Sequence, residues 1–151
     1  LTMSWRLFLA LTAGLAVAGG AQNPAADQEL KQLQGIWKVV AAEANGQKVP
    51  AEDLGRYQLL IEPSGHMTAF RDGAITLQGS LTLDPSRTPK TLDVTFTKGQ
   101  QSGKTAQGIY ELKDGALKVC RANPGQSRPA EFASPPGSGL TLIVYERAKP
   151  R

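Results

Sequence analysis

The chain has 151 residues, 40% hydrophobic and 20% charged, with a formal net charge of +4; that length suits one domain, and that balance excludes both a disordered chain and an all-apolar membrane protein. One Cys and one His exclude a disulfide framework and a Cys/His zinc cluster within one copy, so no metal and no cofactor are expected. Basic residues stand singly (Lys31, Lys38, Lys48, Arg56, Arg71) and never form the run that tracks a phosphate backbone, so nucleic acid is not expected as a partner.

Residues Met3 to Ala21 read MSWRLFLALTAGLAVAGGA, with Arg6 near the start, an apolar run from Leu7 to Ala18, then Gly19, Gly20 and Ala21. A positive start, an apolar stretch of about 7–15 residues and a small-residue exit make a secretory signal peptide. The run is shorter than the roughly 20 apolar residues that span a bilayer and lacks a charged stop-transfer flank. Residues 1–21 are therefore assigned as a signal peptide, cleaved after Ala18 or Ala21. The expected product is exported, to the periplasm or outside the cell, with no stable membrane anchor after cleavage. Residues 27–149 form its one domain.

From Asp27 the sequence DQELKQLQ carries a residue suited to an N-cap, leucines at 30 and 33, and Gly35 as a stop. This predicts a short helix with one apolar edge, too short to stand alone and so docked on something else. Beyond Gly35 the period changes to that of strands. Segments rich in Val, Ile, Leu, Thr and aromatics predict strands over Ile36–Ala44, Arg56–Glu62, His66–Arg71, Ala74–Leu83, Thr91–Thr97, Thr105–Leu112, Ala116–Arg121 and Leu140–Arg147. Ala130–Phe132 is a further short candidate, and Pro50–Leu54 a single helical turn. Asn45-Gly46, Ser64-Gly65, Asp72-Gly73 and Asp114-Gly115 supply turn positions tolerant of positive φ. Gly79 interrupts its strand and predicts a bulge or bend. Leu92, Val94 and Phe96 alternate with Thr91, Asp93, Thr95 and Thr97, a strand with one buried and one wet face.

About eight consecutive strands joined by short turns must hide their edges. Closure into a barrel does this completely, whereas a sandwich needs longer crossings between sheets. The expected fold is all-β: an up-and-down antiparallel barrel of about eight strands with a short N-terminal helix. A barrel of that size is either nearly filled by side chains or holds one small ligand.

Gly35-Ile36-Trp37 marks the handover from helix to first strand, and Arg147 ends the last strand. In a closed barrel those two strands are neighbours, so the indole and the guanidinium can stack and plug one end. With this pair the chain resembles the calycin group, the lipocalins and related fatty-acid-binding and avidin-like barrels, in which a Gly-x-Trp opens strand one and a basic residue closes the last strand. The further lipocalin motifs and a disulfide pair are absent. A resemblance covering roughly Leu30 to Arg147 rests on LQGIWKVVAAEANGQKVP, LTLDPSRTPKTLDVTF, GKTAQGIYEL, LKVC with Arg128-Pro129-Ala130-Glu131-Phe132, and the final strand. This ordered set is similar to the small exported lipocalin-like domain recurrent in planctomycete bacteria. The resemblance implies a fold and a compartment, and no reaction.

Candidate reactive residues lack partners. Cys120 has no local base: Lys118 shares its face, and His66 stands on another strand, so a buried inert thiol is expected. His66 lacks a second ligand and is expected to be a solvated turn residue. Asp84 to Lys90 contains two prolines and an Asp, as a rigid turn requires. Arg128 is expected to pair with Asp93 or Glu131 and pin the long loop before the last strand, a structural role shared with Gly35, Trp37 and Arg147. No catalytic residue is assigned, and the product is expected to be non-enzymatic. It either binds a small, mainly apolar ligand inside the barrel, lined by Trp37, Leu59 and Phe96, or is a filled barrel serving as a structural or protein-interaction module of the cell envelope. The oligomeric state stays open.

Overall fold

A computed structural model describes residues 23–149; the segment assigned as a signal peptide lies outside them. The chain runs α1 (Pro24–Leu33), β1 (Gly35–Ala44), β2 (Gln47–Lys48), α2 (Ala51–Leu54), β3 (Tyr57–Ile61), β4 (His66–Arg71), β5 (Ala74–Asp84), β6 (Lys90–Phe96), β7 (Thr105–Lys113), β8 (Ala116–Arg121) and β9 (Thr141–Arg147). β1 pairs with β3, each strand from β3 to β8 pairs with the next, and β9 returns to pair with β1. The result is an up-and-down antiparallel barrel of eight strands, to which β2 adds a two-residue flap on Glu43 and Ala44. The strands predicted from alternation match to within one residue at each end. Asn45, Asp72 and Asp114 take φ of 51°, 52° and 53° ahead of their glycines, the backbone that two-residue hairpins need to follow the strand twist.

Three expectations are corrected. Ala130–Phe132 forms no strand, because β8 pairs directly with β9 and the closed barrel leaves no edge there to extend. Gly79 sits in unbroken register with Met67 and Phe96; the irregularity of that hairpin lies between Ala69 and Phe70 instead. Close approach explains Gly79, since a Cβ there would stand 2.8 Å from the Thr95 carbonyl oxygen. The helix begins at Pro24, capped by the Asn23 side chain, which accepts from the Ala26 amide at 3.2 Å. Asp27, read as suited to a cap, lies in the first turn, where its charge favours the helix N-terminus.

Helix α1 lies across one end of the barrel. Leu33 is buried and Ala26 and Leu30 pack on the core, while Glu29 pairs with Lys90 and accepts from the Tyr110 hydroxyl at 3.3 Å. The core holds Trp37, Leu59, Ile61, Leu92, Val94 and Phe96. A second buried layer lies outside the barrel wall. Ile109 and Cys120 face each other in register and are covered by the loop that leads to β9. The Cys120 thiol reaches the Ala133 carbonyl at 3.4 Å, and Lys118 lies over the Phe132 ring at 5.4 Å.

Candidate functional site

The α1 end is sealed by the pair expected from the sequence. Trp37 and Arg147 are direct partners across β1 and β9, and the guanidinium carbon sits 4.4 Å from the indole centroid. Trp37 is fully buried, and its Nε1–H donates to the Leu33 carbonyl at 2.9 Å. Arg147 donates from Nη1 to the Gln34 carbonyl at 2.7 Å and from Nη2 to that of Gln32. These carbonyls end α1, where a cation both satisfies orphan acceptors and opposes the helix dipole. Gly35 completes the seal: its φ of +120° is open only to glycine, and a Cβ there would lie 3.3 Å from Arg147 Nη1.

Above this floor the barrel holds a partly open cavity of about 320 Å³. Leu33, Leu83 and Leu92 line its α1 end, and Tyr57, Phe70 and Arg121 its other end. Leu59 and Phe96 line it as expected, whereas Trp37 is not among its lining residues and serves the seal instead. Leu59, its register partner on β3, does line the cavity; the Trp37 indole is instead engaged by the Leu33 carbonyl and the Arg147 guanidinium. At the far end Arg56 fastens the start of β3 to the β4–β5 turn, with its Nη2 2.7 Å from Asp72 Oδ2. That contact holds the exposed Asp72 carboxyl below its usual range.

Reading the sequence did not single out Arg121 or Tyr145 for the cavity wall. Leu117, Val119 and Arg121 alternate along β8 and all line the cavity, as do Ile143 and Tyr145 on β9. The alternation is visible in the sequence, but Arg121 ends an inward row with a charge, which patterning by hydropathy discounts. Burial pushes the Tyr145 phenol up to about 12, against the opposite pull of the nearby Arg121 charge. Burial also raises Tyr110, with Glu29 adding to the effect. Both phenols are thus held neutral above the range in which an unfolded chain ionises them, at about pH 10. Stability contributed by the neutral phenols is complete below pH about 10 and lost as pH rises toward about 12. An absorbance titration near 295 nm should show Tyr110 and Tyr145 un-ionised at about pH 11 in the folded protein and ionised on unfolding, with the Tyr145→Phe variant losing part of the alkaline destabilisation.

The remaining candidates fall outside the cavity. Arg128 pairs with Asp93 at 2.7 Å, not with Glu131, and its Nη1 also donates to the carbonyls of Leu92 (3.0 Å) and Gly108 (2.7 Å). Cys120 is buried beneath the loop, and that burial raises its thiol pKa. His66 begins β4, half-buried. Among the described residues no group of three or more His, Cys, Asp or Glu side chains is placed to hold a metal ion. No protein-family model, curated protein or solved structure matches the chain.

Proposed function

We propose that this protein is an exported, non-enzymatic barrel that takes up a small, mainly apolar molecule in its interior. The carrying observation is the cavity of about 320 Å³, walled chiefly by Leu, Val, Ile, Met and Phe side chains. That size falls within the roughly 300–1,000 Å³ of small-molecule sites, and it favours ligand uptake over a filled, purely structural barrel. The resemblance to exported lipocalin-like domains supports the same reading by fold analogy alone, and the pattern of residues 1–21 supports export.

Titration of the mature barrel with the neutral dye N-phenyl-1-naphthylamine tests this. Dye fluorescence is expected to rise and saturate at one dye per barrel. Ala69→Phe, which adds a ring to the cavity wall, should weaken binding by about tenfold or more while the far-UV circular dichroism is kept. Failure of the folded wild-type barrel to bind this dye or any neutral amphiphile would overturn the reading.

A further inference from the structure

The cavity wall carries one charged side chain, Arg121, and no acid. Among the described residues no carboxylate lies within ion-pair distance of it; the ion pairs join Lys38, Arg56, Arg87, Lys90 and Arg128 to their acids. An uncompensated guanidinium facing apolar wall gains from any anion that enters beside it. Arg121 stands at the end of β8 paired with Thr141, away from the sealed end where Ala116 pairs with Glu146. A molecule entering from that end therefore places its tail on Leu59, Leu92, Val94 and Phe96 and its head at Arg121.

We infer that the ligand is a linear amphiphile with a carboxylate head, bound with its chain in the barrel and its two oxygens on the Arg121 fork. This rests on the ligand-binding reading above and names the ligand class. A planar carboxylate matches the guanidinium in a bidentate pair. A phosphate dianion calls for more positive charge than the single cation of this wall provides.

Dodecanoic acid, dodecan-1-ol and dodecyltrimethylammonium compete separately for the bound dye on the wild-type barrel and on Arg121→Gln. The acid is expected to bind about 10- to 100-fold more tightly than the alcohol, the yield of one charge-assisted pair, and the ammonium more weakly than either. Arg121→Gln should erase the preference for acid and leave alcohol affinity within about threefold. Equal binding of acid and alcohol by the wild-type barrel overturns this inference and leaves the ligand-binding reading standing, and it requires no variant to fold. An equal loss of acid and alcohol affinity in Arg121→Gln also overturns it, since packing alone would then explain the residue. Binding of none of the three defeats the ligand-binding reading, and this inference with it.

Discussion

Trp37→Ala is expected to destabilise the barrel by about 3–5 kcal/mol, the range for truncating a large buried aromatic. Three losses combine at one position. The indole is fully buried, its N–H is the donor to the Leu33 carbonyl, and its face carries the Arg147 guanidinium. Against a domain stability of about 5–15 kcal/mol such a loss removes a large share of the total. Urea unfolding followed by far-UV circular dichroism should show a midpoint far below that of wild type, and an unchanged midpoint would refute the seal. Trp37→Phe keeps most of the burial and leaves the Leu33 carbonyl without its donor, for a smaller cost of about 1–3 kcal/mol. Arg147→Lys keeps the charge but has no planar fork to share between the Gln32 and Gln34 carbonyls, so it should not restore what Arg147→Ala loses.

The barrel was legible in the sequence because its determinants are local. Alternation set the strands, and Asn45, Asp72 and Asp114 before glycine set three of the turns. Gly35, Trp37 and Arg147 were legible as a group, since closure of consecutive strands forces the first against the last. What escaped notice depends on non-local geometry. The two-residue β2 carries no period to detect. The shift at Ala69 and Phe70 follows from pairing across a hairpin, which neither strand shows alone. Alternation points Trp37 inward but does not show the Leu33 and Arg147 contacts that hold its indole at the seal. The same holds for Arg121: its inward position follows from Leu117 and Val119, but what it faces depends on β9.

Arg128→Ala should release the long loop between β8 and β9 from the barrel wall at a cost of about 2–3 kcal/mol. One guanidinium serves three acceptors from two strands, the Leu92 and Gly108 carbonyls and the Asp93 carboxylate. Its removal leaves a partly buried carboxylate unpaired, and that is the larger part of the cost. Arg128→Lys can keep the attraction to Asp93 but cannot reach all three acceptors with one ammonium, so its loss should be intermediate. Cys120 reports on the event because it lies fully buried with its thiol on the Ala133 carbonyl of that same loop. Thiols react as thiolates, and burial both screens this one and raises its pKa. If the loop opens as a unit, a loss of about 2 kcal/mol in its closing equilibrium speeds disulfide-reagent labelling roughly 30-fold. A drop in unfolding midpoint with labelling unchanged below the transition would mean that Arg128 supports the wall as a whole. Faster labelling at a nearly constant midpoint would mean that the loop is a separate, weaker unit hinged on this one side chain.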